Sequence, residues 1–442
     1  MGGLRSVWLV LLGLLSGCAS YGVIQNAPLG SPPVAKSYSL KGWNQGARPN
    51  EVQINLAFSG GGTRAAAFSY GVLKALRDAE VPILGRKRRL LDEVDAITSV
   101  SGGSFTAAYY GLHGDRAFED FETVFLKRDV ERHLLDSLLN PLNWFGSAGR
   151  TEWAIDYYQE HVFRGATFAD MVREDRPLIV INTSDLGYGV RFSFLQEYFN
   201  LLCSELTSFP VARAVAASSA VPVVFNPVVV ENYPECGSAP PAWLQELRAR
   251  SAGDARLTEM VTGLESYFDK EKRKYAHFVD GGITDNLGLR AMFDFIEAAG
   301  GPKQFIAKAG RTPPRHLVVI VVNASTDPEP VMDLSNRQPS LLETVNAMSD
   351  IQLHRYNADT LQLMKQSIAD WAKKISTPDR PISAYFIELS FRGVAPERRA
   401  FFNNIPTSFA LSNEQVDALV AAGAELLHAN PEFRRLLADI AR

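Results

Sequence analysis

The chain has little cysteine, three residues in 442. That excludes a disulfide-dense scaffold and a zinc site built on four Cys ligands. Histidine is sparse too, at seven. There is no HExxH pattern, no Cys/His cluster and no calcium-loop pattern, so no metal and no cofactor are expected. Neither sign of charge is in large excess: 45 Lys and Arg stand against 49 Asp and Glu, for a net charge of -4. A protein that grips nucleic acid through its phosphates usually carries a basic surplus, so no nucleic-acid partner is expected. Internal repeats and low-complexity tracts are missing, which removes solenoids and arrays. What remains is a composition of 46% hydrophobic, 10% aromatic and 21% charged residues. That is ordinary for a globular chain with ample core.

Residues 1–17 read as a signal peptide. Arg5 precedes an apolar run from Val7 to Leu15. The run is too short to span a bilayer, which takes about 20 residues, and has the proportions of an export signal. Leu15-Ser16-Gly17-Cys18 then resembles the bacterial lipobox, with Cys18 as the lipidated residue. Several acyl chains on one cysteine anchor firmly where a single chain does not. Ala19 follows rather than Asp, which favours the periplasmic face of the outer membrane. Residues 18–50 read as anchor and tether, with several Gly, Pro and Ser and little periodicity. Cys203 and Cys236 are left: an oxidising compartment allows them to pair, and two buried free thiols are an equal alternative.

From residue 51 strands alternate with helices. Gln53–Phe58, Asp95–Val100, Leu178–Asn182, His277–Asp280 and Leu317–Val322 read as strands, the last apolar throughout as if covered on both faces. Helices are expected after the first two, the earlier with Phe68, Val72, Leu73 and Leu76 on one face. This predicts an α/β sandwich with a mainly parallel central sheet over residues 51–325, interrupted by a helical insertion at 115–175. Residues 326–442 read as an α-rich extension: a long helix over about 340–374, a strand at Ala384–Ser390, and a helix opened by a Ser412/Gln415 capping box.

Three segments sit at carboxyl ends of predicted strands, where α/β sheets place their sites. Gly60-Gly61-Gly62-Thr63-Arg64 is a glycine turn opening a helix. Without Cβ atoms its amides can turn toward an oxygen, as an oxyanion hole needs, and Arg64 adds positive potential. The same turn suits a phosphate or a simple bend. Ser99-Val100-Ser101-Gly102-Gly103 resembles a nucleophile elbow. Ser101 is the nucleophile candidate and Gly103 supplies the small residue after it. Ser99 stands where the motif has glycine, and Ser99 and Ser104 leave other registers open. Asp280-Gly281-Gly282 offers a carboxylate, or merely a turn.

Taken together, the order of these segments, with 41 residues between Gly60 and Ser101 and 179 between Ser101 and Asp280, resembles the patatin-like phospholipase family. Ala216–Pro222 resembles a further segment of that family, and Ile405–Phe409 resembles extensions on its bacterial lipoprotein members. The resemblance covers roughly residues 53–325. It implies a three-layer α/β/α fold and a Ser101–Asp280 dyad acting on acyl lipids. Gly60, Gly61, Gly62 and Arg64 match its oxyanion segment. Ala65 stands where the family pattern ends in glycine.

In that reading Asp280 accepts the Ser101 proton as Ser101 attacks an ester carbonyl. A Ser-His-Asp triad is the competitor, but of His113, His133, His161, His277, His316, His354 and His428 none follows a motif. Strand alternation turns His277 away from Asp280, and His316 begins its strand. Asn140–Gly146 is a candidate apolar loop that touches membrane or covers the cleft, or ordinary core. Two other functions stay open: a catalytically silent lipid-binding scaffold, and an esterase for soluble substrates.

Overall fold

The structure is a computed structural model that describes residues 21–30, 37–40, 50–132, 149–173, 175–222, 224–236, 239–329 and 331–442. The signal peptide, Cys18, most of the tether, His133 and the Asn140–Gly146 loop lie outside the described residues.

Eight strands build one sheet: β1 (Val52–Phe58), β2 (Val94–Val100), β3 (Leu178–Asp185), β4 (Arg191–Ser193), β5 (Val228–Glu231), β6 (Tyr275–Val279), β7 (His316–Asn323) and β8 (Ser383–Ser390). Their spatial order is β8-β7-β1-β2-β3-β6-β5, with β4 also on β3. The five from β8 to β3 are parallel, while β4, β5 and β6 pair antiparallel.

Alternation along the central strands divides the core in two. Ile54, Leu56, Phe58, Val318, Ile320 and Val322 face one apolar cluster. Ala57, Val319 and Val321 face the other. A strand with both sets of side chains buried has no polar face, which is why β7 reads as an unbroken apolar run. On the first face lie α1 (Gly62–Asp78) and α2 (Gly102–His113), and on the second α3 (Leu289–Ala299), through Met292 and Phe293, and α4 (Leu341–Ile375), through Met364, Ile368 and Trp371. The architecture is therefore three layers, α/β/α, as expected. The described part of residues 115–175 is mostly helical, with short turns at 127–129 and 163–167. The hairpin of Glu80–Ile83 with Arg86–Arg89 was not legible: its second strand is four consecutive basic residues.

The extension after residue 326 belongs to the same core. β8 pairs with β7 over its full length, and α5 (Asn413–Ala429), opened by the Ser412/Gln415 capping box, packs on α1. The two helices touch backbone to backbone: a Cβ on Gly71 would overlap the Val420 carbonyl, and one on Gly423 would lie 2.8 Å from Gly71. Cys203 and Cys236 form a disulfide, with Cα atoms 5.5 Å apart. Closing a loop of 33 residues is worth about 3–4 kcal/mol in the chain-entropy model.

The helix crossing predicts a stability effect. Gly71→Val should destabilise the protein by about 3 kcal/mol in chemical denaturation through overpacking, because a side chain there meets the Val420 backbone of the extension; an unchanged midpoint would contradict the contact.

Candidate active site

The sheet delivers three chain segments to one point. In β1–β2–β3 the parallel register sets Val100 opposite Asn182, so Ser101 emerges level with Thr183. β6 runs the other way, with Val279 opposite Ser184. Asp280 therefore also arrives level with Thr183, descending from above. The Thr183 hydroxyl ties the layer by donating to the Val279 carbonyl at 2.6 Å. All three segments follow the carboxyl ends of their strands, as expected. The aspartate strand is antiparallel, and it converges because β3 runs three residues past Asn182.

Ser101 joins β2 to α2 with φ 50° and ψ −125°. That is a strained conformation for a residue with a Cβ, and it aims the side chain out of the turn. The strain is held by neighbours. The Ser101 N–H donates to the Ser218 hydroxyl at 2.9 Å, and the Ser104 N–H donates to the Ser101 carbonyl at 2.9 Å. Gly102 has no room for a side chain, since a Cβ there would overlap the Gly62 carbonyl. A Cβ on Gly103 would lie 2.7 Å from the Ser59 carbonyl. The elbow and the glycine turn are in backbone contact, which explains small residues in both.

The register question resolves geometrically. The Ser104 hydroxyl is buried and bonded to the hydroxyls of Ser99, at 3.1 Å, and Ser218, at 3.0 Å. Ser101 is the serine whose hydroxyl acts on the Asp280 carboxylate, holding its pKa down. The carboxylate also accepts the Gly282 N–H at 2.7 Å. Its backbone is fixed by Asp280 N–H to the Ala220 carbonyl and Gly281 N–H to the Ser218 carbonyl, both 3.0 Å. Burial pushes the Asp280 pKa up to about 6, and the Gly282 N–H and Ser101 keep it from rising further. A carboxylate lifted toward neutrality is a better base than an exposed one.

The glycine turn occupies the third side. Gly61 (φ 137°) and Gly62 (φ 58°) adopt backbone angles that favour glycine. Among the described residues, neither of their N–H groups meets an acceptor. Gly60 has a different part: its N–H donates to the Asn286 carbonyl, and a Cβ there would sit 3.3 Å from the Ser101 Cβ. It permits close approach rather than supplying a donor. Arg64 also departs from expectation. Its buried guanidinium donates to the carbonyls of Ala324 and Ile405 and to the Thr407 hydroxyl, at 2.9, 2.5 and 2.9 Å. The side chain is committed to neutral acceptors behind the turn, and burial lowers its pKa to about 10. Ala65 is fully buried with its methyl 3.3 Å from the Gly61 Cβ position, so alanine fits there.

Five of the described histidines lie elsewhere. His277 is exposed on the opposite side of β6 from Asp280. His316 meets the Tyr385 hydroxyl, His113 packs on Tyr109, His161 on Tyr157, and His428 meets the Ala424 carbonyl.

Sequence reasoning missed Ser218 as a member of the site. Its hydroxyl accepts from Ser101 and donates to the Asn182 carbonyl at 2.6 Å, and its own carbonyl holds the Asp280 loop. The signal was the small-residue run Ala216–Ala220, noticed only through the family resemblance.

A family model described as patatin-like phospholipase matches residues 56–293. No curated protein matches the chain in sequence. Among solved structures the chain is similar to human GIVD cytosolic phospholipase A2, at 12% identity and TM-score 0.44, over 92% of this chain and 65% of that one. It is also similar to VipD from Legionella pneumophila, at 12% identity and TM-score 0.34, over 89% and 67%. The chain thus spans about two thirds of the length of each.

The buried carboxylate makes a stability prediction with a definite sign. Its folded pKa, about 6, exceeds the unfolded value near 3.9, so ionisation costs the folded state roughly 3 kcal/mol once the pH is above both. Asp280→Asn should therefore be more stable than wild type at pH 8, by up to that amount, with the advantage shrinking as pH falls through 6 and gone below about 4. Equal denaturation midpoints at pH 8 would show that Asp280 is not held as a buried charge.

Proposed function

The chain belongs to the patatin-like phospholipase family, and we propose that it is a serine hydrolase cleaving fatty-acyl esters of membrane lipids through a Ser101–Asp280 dyad. One observation carries the proposal: Ser101 and the buried Asp280 carboxylate arrive at the same level of the sheet, the serine lowers the carboxylate's pKa, and the glycine turn lies against the same serine.

In the first step Asp280 takes the hydroxyl proton as Ser101 attacks the ester carbonyl, giving a tetrahedral oxyanion. The N–H groups of Gly61 and Gly62 accept that charge. Asp280 then protonates the departing alcohol, leaving an acyl-Ser101 ester. In the second step Asp280 deprotonates a water, which attacks the acyl-enzyme and releases the fatty acid with Ser101 restored. Even at a pKa of about 6 a carboxylate is a weak base for a serine hydroxyl. The proton transfer is driven by stabilisation of the oxyanion, the term that preorganised amides supply without reorganisation.

The membrane tether is part of the same proposal. Lipidation of Cys18 and residence on the periplasmic face of the outer membrane rest on the sequence alone. Such an anchor would hold the site beside acyl lipids.

The test is fatty-acid release from phospholipid vesicles by the full mature protein. Wild type should release fatty acid without added calcium, with a kcat/KM that rises as pH increases through about 6, the folded pKa of Asp280. Ser101→Ala and Asp280→Ala should each lower it by at least about a thousandfold. Turnover of short soluble esters alone would point to a soluble-substrate esterase. Vesicle binding with no turnover would point to a silent scaffold.

A further inference from the structure

The family match ends at residue 293, yet the glycine turn is held by chain more than a hundred residues beyond it. The Thr63 N–H donates to the Ser408 carbonyl at 2.9 Å. A Cβ on Gly62 would lie 3.0 Å from the Ser408 nitrogen, so the 405–410 segment lies directly on the turn. From below, Arg64 reaches the Ile405 carbonyl and the Thr407 hydroxyl. A Cβ on Gly61 would lie 3.2 Å from Arg64 Nη2, so the guanidinium underlies the same turn. The far side of the segment is fixed by Glu131: its carboxylate accepts the Ser408 hydroxyl at 2.7 Å and the Phe409 N–H at 2.8 Å. Phe409 then meets the edge of Phe105 in the elbow helix, ring centroids 5.7 Å apart.

We infer that Ile405–Ala410 is a positioning strap for the oxyanion amides, clamped by Arg64 on one side and Glu131 on the other, so that the C-terminal extension is part of the catalytic unit. The inference rests on the hydrolase reading above. Gly61 and Gly62 are the most conformationally free residues of the turn. Left alone, two such residues sample many backbone states, and their N–H groups would point at Ser101 only part of the time. Backbone bonds at Thr63, van der Waals contact at Gly62 and the guanidinium beneath Gly61 remove that freedom before substrate arrives. Preorganisation of this kind acts on the transition state, not on ground-state binding. Arg64 does this by shape: its fork reaches three acceptors in fixed directions, where a lysine is a point charge on a flexible stem.

The experiment measures kcat and KM on a soluble fatty-acyl ester, the rate of phosphonylation by an alkyl fluorophosphonate, and the thermal midpoint, all on the full mature protein. Arg64→Lys keeps the positive charge and loses the fork. It should lower kcat and the phosphonylation rate about ten- to a hundredfold, with KM within about twofold. Thr407→Val should lower both rates severalfold, and Thr407→Ser, which keeps the hydroxyl, should restore them. Full rates in Arg64→Lys would overturn the inference, as would equal rates in Thr407→Val and wild type. A rate loss that appears only as KM, or that Thr407→Ser fails to recover, would overturn it too. If Arg64→Lys does not fold, the Thr407 pair decides alone. Wild type that reacts while the variants match it sinks the strap only; wild type inert to both ester and fluorophosphonate sinks the hydrolase reading and the strap with it.

Discussion

The structure depends on one constraint: two tight turns in backbone contact. The glycine turn after β1 and the elbow after β2 meet where Gly102 faces the Gly62 carbonyl and Gly103 faces Ser59. Neither turn could hold its conformation as an isolated segment. Ser101 is strained at φ 50°, and Gly61 and Gly62 are inherently mobile. Held against each other at the top of a parallel sheet, they place a hydroxyl beside amides that meet no acceptor among the described residues. Everything else in the site works to keep that meeting point: Ser218 beneath the elbow, Asn286 behind Gly60, and the C-terminal segment over Gly62.

The carboxylate enters on different terms. Asp280 comes on an antiparallel strand from the far half of the sheet. It is buried as a potential charge, which costs stability. Proteins keep such groups where function requires them. Removal of water from the carboxylate raises its pKa, and Ser101 and the Gly282 N–H act against that rise. The C-terminal region then does two jobs with one packing scheme. β8 and α5 complete the sandwich, and the chain between them crosses the glycine turn. An apparently appended region is in this way built into both core and site.

Much of this was legible in the sequence, for identifiable reasons. β7 showed itself because a doubly buried strand needs apolar residues at every position. The helix at Ser412 showed itself through its capping box, which is local chemistry. Gly60–Gly62, Ser101 and Asp280 were legible because tight turns restrict residue type. What was hidden is non-local. No spacing rule reports that β6 runs antiparallel, that the Gly60 N–H is taken by Asn286, or that Arg64 turns away to Ile405 and Thr407. Nor does any local pattern mark Ser218, whose role depends on partners 36 and 117 residues away. The disulfide was undecidable from two cysteines and became definite once the fold brought residues 203 and 236 together.

The central claim is that Ser101, and not its neighbours Ser99 or Ser104, is the hydroxyl activated by Asp280. Peptide mapping by mass spectrometry after treatment with an alkyl fluorophosphonate tests it most directly. The account predicts a single phosphonyl adduct on Ser101 in the wild-type protein, and none in Asp280→Asn under the same conditions. An adduct on Ser99, Ser104 or a distant serine, or undiminished labelling of Ser101 in Asp280→Asn, would contradict it.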